Sequence, residues 1–229
     1  MGTSKHIEFS AKTGSCGGEL AEPGPSAGAK VGALVVVQEW HGINDEMRSK
    51  VIRFASEGYL ALAPDLYHGK CAKNDDEAGK LMSALDFGKA VAEIGAAVQY
   101  LKEQPRSNGK VGVLGFCMGG ALTFAAAANV PGLACAVPFY GLPDVSKLDF
   151  AKVTAPIQAH FAGHDDWASP DRARKLAKEL EALGKSIELH VYDGAGHAFM
   201  RDSDPVKYHE ASAKKAWERT LAFLKQHLQ

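Results

Sequence analysis

The stretch Lys110–Asn129, KVGVLGFCMGGALTFAAAAN, decides the fold, because it joins a β-branched apolar segment directly to a run of small residues. The first part predicts a buried strand and the second part a helix. Cys117 lies at the junction, with Gly115 and Gly119 two positions away on either side. This is the nucleophile-elbow pattern G-x-S-x-G with cysteine in the place of serine. We therefore predict that Cys117 is a nucleophile.

The chemistry of this pattern follows from its backbone. A strand that turns straight into a helix strains the residue between them and lifts its side chain above the sheet. Glycines on both sides let neighbouring backbone approach closely. The helix N-terminus then favours the thiolate form of Cys117. The alternative is a buried structural cysteine beside a phosphate-binding turn, but the glycine spacing is not G-x-G-x-x-G and the Walker lysine is missing.

Outward from this stretch, predicted strands and helices alternate along the chain. Strands are predicted over 7–20 (one or two, with a bend), 31–38, 59–63, 110–116, 133–139, 156–162 and 186–192, and helices over 45–57, 75–104 with a break near Gly88, 118–129, 170–183 and 211–228. Such alternation predicts a mostly parallel sheet with helices on both faces. Together with the elbow it predicts the α/β-hydrolase fold, in which ligands bind beyond the carboxyl ends of the strands.

Length and composition limit the classes of function. We expect residues 1–229 to form one domain. The net charge of -1, without a dense Lys/Arg block, argues against nucleic acid or an anionic membrane as partner and favours a small molecule. The apolar runs are too short to span a membrane, and the N-terminus lacks the apolar core of a signal peptide. We therefore expect a cytoplasmic monomer.

The cysteines do not have the spacing of a metal or redox motif. Cys16, Cys71, Cys117 and Cys135 lie far apart, and no C-x-x-C pair occurs. Zinc-site and thioredoxin-like patterns are therefore absent. We expect four free thiols, no metal and no cofactor.

A candidate acid and a candidate base follow the nucleophile in the chain. Asp165 and Asp166 come at the end of one predicted strand, and His197 follows the last one. The order nucleophile, acid, histidine is that of α/β hydrolases. His197 would take the thiol proton, and an aspartate would fix the imidazole tautomer. Asp165 is favoured because it lies nearest the strand end, and Asp166 remains an alternative.

The loop after the first buried strand reads QEWHGIN over residues 38–44. In this fold the corresponding loop supplies one backbone N–H to the oxyanion hole, and the residue after the nucleophile supplies the other. Trp40 and Met118 are therefore the candidate donors. Glu39 at a buried strand end is costly without a purpose or a partner. A structural salt bridge is as reasonable an interpretation of Glu39 as a role in the site.

These residues resemble the dienelactone hydrolase family from about Ile7 to Leu224. The resemblance is carried by QEWHGIN (38–44), APDLY (63–67), GFCMGG (115–120), FYG (139–141) and GHAF (196–199). The cysteine elbow combined with the Q-E-x-x-G-x-N loop is specific, whereas either alone would be weak. The family opens dienelactone, an enol lactone that bears a carboxylate, to maleylacetate.

The resemblance implies roles for individual residues. Cys117 would be the nucleophile, Asp165 the triad acid and His197 the base. Glu39 would hydrogen-bond the nucleophile and help to control thiolate formation. For substrate binding, the resemblance implies Tyr140 in the FYG motif and Arg201, which matches the family's carboxylate-binding arginine. A surface arginine paired with a neighbouring acid is the plainer interpretation of Arg201.

The chain departs from the family pattern in two places. A second carboxylate-binding arginine is expected after Tyr67, but only Lys80 is available there, and lysine gives a point charge rather than a bidentate fork. The aromatic residue expected one to two turns later would be Phe87. The acid loop also runs one residue longer before Pro170, which keeps Asp166 as an alternative.

The predicted function is thus a cysteine-dependent hydrolase that opens a small carboxylate-bearing enol lactone through a thioester. A broader small-molecule carboxylesterase is an alternative, because an elbow specifies the reaction and not the acyl group. A third possibility is a redox-sensing or ligand-binding protein that uses a low-pKa Cys117 without turnover. A complete triad argues against it, since binding needs no general base.

Overall fold

The computed structural model describes residues 2–229 and contains one eight-stranded sheet. The strands are β1 (Ser4–Ala11), β2 (Gly14–Ala21), β3 (Val31–Val37), β4 (Leu60–Pro64), β5 (Ser107–Phe116), β6 (Cys135–Phe139), β7 (Ile157–His164) and β8 (Ile187–Gly196). The α-helices are α1 (Asp45–Ser56), α2 (Asp75–Ala84), α3 (Phe87–Glu103), α4 (Met118–Asn129), α5 (Pro170–Ala182) and α6 (Glu210–Leu228).

The sheet has the strand order β1-β2-β4-β3-β5-β6-β7-β8. β1 and β2 form an antiparallel hairpin at one edge, and β2 is antiparallel to β4. Every other neighbouring pair is parallel. The predicted mostly parallel sheet is therefore confirmed.

Helices cover both faces of this sheet, as predicted. Successive side chains of a strand point to opposite faces, so Leu34 and Val36 of β3 pack with α1 and α6, whereas Val35 and Val37 pack with α3 and α4. Helix α5 covers the far end of the second face, where Leu176 packs with residues of β7. Because β3 is buried on both faces, it is apolar along its whole length.

Several predicted boundaries differ from the structure. The break in the helical stretch lies at Leu85 and Asp86 rather than near Gly88, because the Asp86 carboxylate accepts a hydrogen bond from the Lys89 N–H and begins α3 at Phe87. Strands β7 and β8 also run further than predicted, to His164 and Gly196. Their extension brings the two following loops to the same edge of the sheet.

Polar and reactive side chains collect at the carboxyl ends of the parallel strands. The residues that come directly after β3, β5, β6, β7 and β8 are Gln38, Cys117, Tyr140, Asp165 and His197. The carboxyl ends of parallel strands meet at one edge, so these residues share the region where ligands bind in open α/β sheets. That edge is the place to look for a site.

Candidate active site

Cys117 occupies a strained turn between β5 and α4. Its φ of 55° and ψ of -117° lie outside the conformations that non-glycine residues normally adopt. Gly115 and Gly119 allow the turn, because a Cβ on Gly115 would collide with the Gly119 backbone and a Cβ on Gly119 with the Val37 carbonyl. The thiol is 8% exposed. A strained, over-determined backbone of this kind is typical of functional positions.

His197 joins the thiol to a buried carboxylate. Its Nε2 lies 3.2 Å from the Cys117 Sγ, and its Nδ1 lies 2.7 Å from an Asp165 carboxylate oxygen, Oδ2. The side chain of His197 is 30% exposed, whereas that of Asp165 is 1% exposed. Tyr140 and Trp167 pack edge-on against the imidazole from two sides, with ring centroids 5.2 Å and 5.3 Å away. The arrangement has the geometry of a nucleophile, a base and an orienting acid.

The geometry favours Asp165 over Asp166 as the acid. The Oδ1 atom of Asp165 accepts hydrogen bonds from the backbone N–H groups of Trp167 at 3.0 Å and Ala168 at 2.8 Å, while Oδ2 faces His197. Burial acts to raise the pKa of Asp165, but the hydrogen bonds from His197 and from these N–H groups outweigh it and lower the pKa. Asp166 is exposed to solvent. The longer acid loop therefore does not shift the register.

The electrostatics of Cys117 differ from the sequence-based expectation of a resting thiolate. Burial raises the pKa of the thiol to about 12, and the negative charges of Glu39 and Asp165 raise it further. The Met118 N–H and the charge of Lys207 act in the other direction but are too weak to compensate. The expectation of a thiolate rests on the helix N-terminus, whereas burial and the charges of Glu39 and Asp165 have the larger effect on the pKa of Cys117. These surroundings therefore favour the thiol over the thiolate form of Cys117.

Glu39 and Tyr140 lie together beneath the histidine. The Tyr140 hydroxyl is the donor to Glu39 Oε1, at 3.4 Å, and Tyr140 is fully buried while Glu39 is 4% exposed. The implied hydrogen bond between Glu39 and Cys117 is absent from the described residues, where the Cys117 thiol pairs with His197. Tyr140 has no exposed surface in this structure, and its implied contact with substrate stays a prediction. Tyr140 supports Glu39 and His197.

The two candidate oxyanion donors lie side by side. Met118 is the first residue of α4, so its N–H is one of those that a helix leaves without an intrahelical acceptor. Tyr67 links it to the other candidate, since its hydroxyl donates to the Trp40 carbonyl at 3.0 Å and lies 3.3 Å from the Met118 sulfur. Tyr67 was not singled out from the sequence as a site residue, although it stands in the APDLY motif. It holds the Trp40 loop against the start of α4.

Arg201 lies half-buried beside the first turn of α1. Its Nε is buried and has no hydrogen-bond partner in residues 2–229. The pKa of Glu46 is lowered overall. Burial acts to raise it, whereas the charge of the Lys50 ammonium and, more weakly, that of Arg201 lower it. The neighbouring acid Asp204 pairs with Lys207 instead, at 3.8 Å. The plainer interpretation of Arg201, an ion pair with the neighbouring acid Asp204, therefore lacks support, while the Nε atom itself is shielded from solvent.

The structure separates the two other candidate substrate residues. Lys80 lies on the exposed side of α2 and pairs with Asp76 at 2.6 Å. Met82 lies about 200° away from Lys80 around the same helix and lines a depression that Met118 also lines. The structure thus does not bring Lys80 to the candidate catalytic residues, and its contact with a substrate carboxylate stays a prediction. Phe87, at the start of α3, lines the same depression as Met118 and Trp167.

The rest of the described chain offers no metal or membrane feature. Residues 2–229 hold no group of three or more His, Cys, Asp or Glu side chains placed to bind a metal ion. None of the described helices combines the length and the apolar character needed to cross a bilayer. All four cysteines are free, as expected.

Comparisons with known proteins agree with the fold and the motifs. The model of the dienelactone hydrolase family matches residues 18–228. Protein usf of Aquifex pyrophilus is 39% identical over 203 residues, which are 85% of this chain and 88% of that protein. The carboxymethylenebutenolidase of Pseudomonas putida is 35% identical over 211 residues, 88% of either chain. The crystal structure of the "Putative Dienelactone Hydrolase" of Klebsiella pneumoniae is 27% identical with a TM-score of 0.85 and covers 97% of this chain and 99% of its own. The chain belongs to the dienelactone hydrolase family.

Proposed function

We propose that this chain is a cysteine-dependent hydrolase that opens a small enol lactone bearing a carboxylate, such as dienelactone, to give maleylacetate. The main support is the hydrogen-bonded series from Cys117 through His197 to Asp165, with distances of 3.2 Å and 2.7 Å. A relative named carboxymethylenebutenolidase, 35% identical, supports the same class of substrate. The composition supports a cytoplasmic, single-domain monomer as the working unit.

The first half of the reaction forms a thioester. Because the pKa of Cys117 is about 12, the thiol must lose its proton as it attacks, and His197 Nε2 takes that proton. The sulfur bonds to the lactone carbonyl carbon, and the carbonyl oxygen becomes an oxyanion. The N–H groups of Trp40 and Met118 stabilise this oxyanion. Asp165 stabilises the imidazolium that forms.

The second half releases the product. The ring carbon–oxygen bond breaks, the imidazolium of His197 protonates the departing enol oxygen, and the enol tautomerises to a ketone. A water molecule then attacks the thioester while His197 takes one of its protons. The carboxylic acid leaves, and the thiol of Cys117 receives a proton again. The cycle consumes one water and needs no cofactor.

Glu39 acts on the nucleophile by its charge. After burial, the negative charge of Glu39 makes the largest contribution to the raised pKa of Cys117. Glu39 therefore keeps the thiol protonated until substrate is in place, which protects it from alkylation and oxidation. The same feature disfavours a redox sensor, because a sensor cysteine needs a low pKa and exposure.

Arg201 selects the charge of the substrate. Arg201 follows His197 by four residues, and the neighbouring acid Asp204 pairs with Lys207 rather than with it. A guanidinium holds a carboxylate through two parallel hydrogen bonds. Bound in this way, the carboxylate of the lactone would orient the ring toward Cys117.

The test is turnover of dienelactone by the purified chain, followed as formation of maleylacetate. Cys117→Ala should lower the turnover number by at least roughly 10⁴-fold, because the thioester cannot form. Cys71→Ala is the matched control, since it removes an exposed thiol that has no base beside it. Full activity of Cys117→Ala would refute the cysteine mechanism. Absence of lactone hydrolysis by the unaltered chain would refute the substrate.

A further inference from the structure

A groove of about 1230 Å³ extends away from the candidate catalytic residues on the second face of the sheet. It lies between α3, α4 and the loop 142–148, and we call it the α3–α4 groove. Pockets for drug-sized ligands typically measure about 300–1,000 Å³. A small lactone held beside Arg201 would leave nearly all of this space empty.

The groove begins at two residues that adjoin the candidate catalytic residues. Met118 lines the groove and directly follows Cys117 in the chain. The Met118 N–H forms a hydrogen bond that lowers the pKa of the Cys117 thiol. Trp167 lines the groove too, and its ring stands edge-on to the His197 imidazole at 5.3 Å and 87°. A molecule whose ester carbonyl lies at Cys117 therefore has its next atoms at the mouth of the groove.

The chemistry of the groove is apolar. Its floor includes Val98, Ala121 and Ala125, which are 2%, 4% and 5% exposed. Its mouth holds two large exposed rings, Trp167 at 47% and Phe87 at 44%. Exposed aromatic surface of this kind is unfavourable in water and commonly marks a binding site.

The charges of the groove lie at its rim. Three of the lining residues are lysines, Lys12, Lys102 and Lys147, and the one acid that lines the groove, Asp144, pairs with Lys147 at 3.3 Å. A cationic ligand is thus disfavoured. Along α4 the groove reaches from Met118 to Asn129, ~16 Å, which accommodates an apolar chain of roughly ten carbons.

We propose that the α3–α4 groove binds an extended apolar group of the substrate, so that the chain also accepts esters or lactones with an alkyl or aryl tail and prefers them to short-chain esters. This proposal rests on the proposed hydrolase function and extends its substrate class. The carbonyl lies at Cys117, and the tail follows α4 past Ala121 and Ala125. Burial of each further methylene in the groove stabilises the bound substrate.

The experiment compares kcat/KM along two homologous series. One lengthens the acyl side, from p-nitrophenyl acetate to p-nitrophenyl decanoate, and the other lengthens the alcohol side, from ethyl acetate to decyl acetate. We expect kcat/KM to rise by at least about tenfold from the acetate to the octanoate, or from the ethyl to the octyl ester. A flat or falling profile in both series would overturn the proposal while leaving the hydrolase function intact. Absence of hydrolysis in both series, by a chain that turns over dienelactone, would overturn this proposal and leave the proposed function intact.

A blocking variant tests the place of the tail. Gly95 of α3 lines the groove, and a Cβ there would meet only Val130, at ordinary distances from 3.5 Å. Gly95→Leu therefore fits the backbone, raises helix propensity and extends its side chain into the groove. We expect the ratio of kcat/KM for octanoate and acetate to fall at least about fivefold.

The matched control is Gly79→Leu in α2. A Cβ at Gly79 meets nothing within 4 Å, and this glycine does not line the α3–α4 groove. The ratio should be unchanged in this variant, and Tm should rise in both variants because leucine replaces a mid-helix glycine. An unchanged ratio in Gly95→Leu, with a raised Tm, would place the tail elsewhere and overturn the proposal.

Discussion

His197 and His160 are two imidazoles in adjoining parts of the same sheet, and both ring nitrogens of each are hydrogen-bonded. His197 follows β8 and lies between a carboxylate and a thiol. His160 lies within β7, fully buried, with Nδ1 2.8 Å from the Tyr192 hydroxyl and Nε2 3.1 Å from the Gln158 amide oxygen. Only His197 has a negative charge beside it and an exposed edge.

This difference separates an imidazole that can accept a proton from one that only packs in the core. A histidine that takes the thiol proton becomes a cation, and a buried carboxylate such as Asp165 stabilises it. His160 has only neutral hydrogen-bond partners, and its ring stacks on Phe139 at 4.6 Å. Burial first, and then the charges of His190 and Arg219, lower the pKa of His160 well below 6.5. His160 therefore remains neutral and stabilises the fold.

The largest predicted effect comes from making the surroundings of His197 resemble those of His160. Asp165→Asn removes the charge and places an amide N–H group opposite Nδ1, so the ring adopts the wrong tautomer to accept the thiol proton. We expect turnover to fall by roughly 10³ to 10⁴-fold, with little change in Tm. The steady-state rate on dienelactone measures it.

The matched control for this prediction is Asp166→Asn. Asp166 has the same chemistry one residue further along but is exposed and faces solvent. Its replacement should change turnover less than about twofold. A large loss in Asp166→Asn and a small one in Asp165→Asn would show that the acid is assigned to the wrong residue.

The second prediction concerns substrate charge and Arg201, which follows His197 by four residues. Arg201→Ala should lower kcat/KM for dienelactone by at least roughly tenfold, which is the size of one charge-assisted hydrogen bond. A neutral ester such as p-nitrophenyl acetate should lose far less. Comparison of the two substrates on the same variant gives the measurement.

Lys80→Ala is the control for Arg201→Ala, because Lys80 pairs with Asp76 on the outside of α2. It should leave the ratio of the two substrates unchanged. Equal losses on charged and neutral substrates in Arg201→Ala would mean that Arg201 supports the loop rather than the substrate.

Local sequence patterns predict some features of the candidate site and cannot predict others. The positions of Cys117, Asp165 and His197 were predictable, because strand ends and glycine spacing are local patterns. The resting state of Cys117 was not, since burial and the charge of Glu39 depend on chain segments far apart in sequence. The sequence also could not show on which side of α2 Lys80 lies. Trp167 left a usable signal, a large aromatic residue two positions after the acid.

The third prediction reduces the negative charge around the thiol. Glu39→Gln keeps the shape of the side chain but removes the charge that raises the pKa of Cys117. The pKa should fall, and iodoacetamide should alkylate Cys117 faster, because a larger fraction of the thiol is then thiolate. In the unaltered protein the exposed Cys71 should react before Cys117. Peptide mass spectrometry over a time course measures both rates.

Glu57→Gln, an exposed carboxylate at the end of α1, is the control and should leave the alkylation rate of Cys117 unchanged. Slower alkylation of Cys117 in Glu39→Gln would show that Glu39 promotes the thiolate instead. The proposed protective role of Glu39 would then be incorrect.

The smallest predicted effect tests the other half of the comparison, the neutral histidine. The folded pKa of His160 lies well below the 6.5 of an unperturbed histidine, so between these two values the unfolded chain binds a proton that the folded chain does not. Stability should therefore be constant above about pH 6.5 and fall as the pH drops below it, by up to about 1.4 kcal/mol per pH unit for this group. His190, whose pKa is also lowered by burial and then by Arg219, should add to the slope.

The pH window separates these histidines from the acids. The pKa values of Asp165 and Glu46 are lowered from 3.8 and 4.5, so the stability that these carboxylates contribute is lost only below those values. Between about pH 5 and about pH 6.5 the slope belongs to histidine. His160→Gln should flatten the dependence of Tm on pH in this window, even if Tm falls at every pH because a buried hydrogen bond is lost. His6→Gln, at an exposed position of β1, is the control for the replacement of an imidazole by an amide. An unchanged slope in His160→Gln would mean that His160 is protonated in the folded protein, and the contrast with His197 would then not rest on charge.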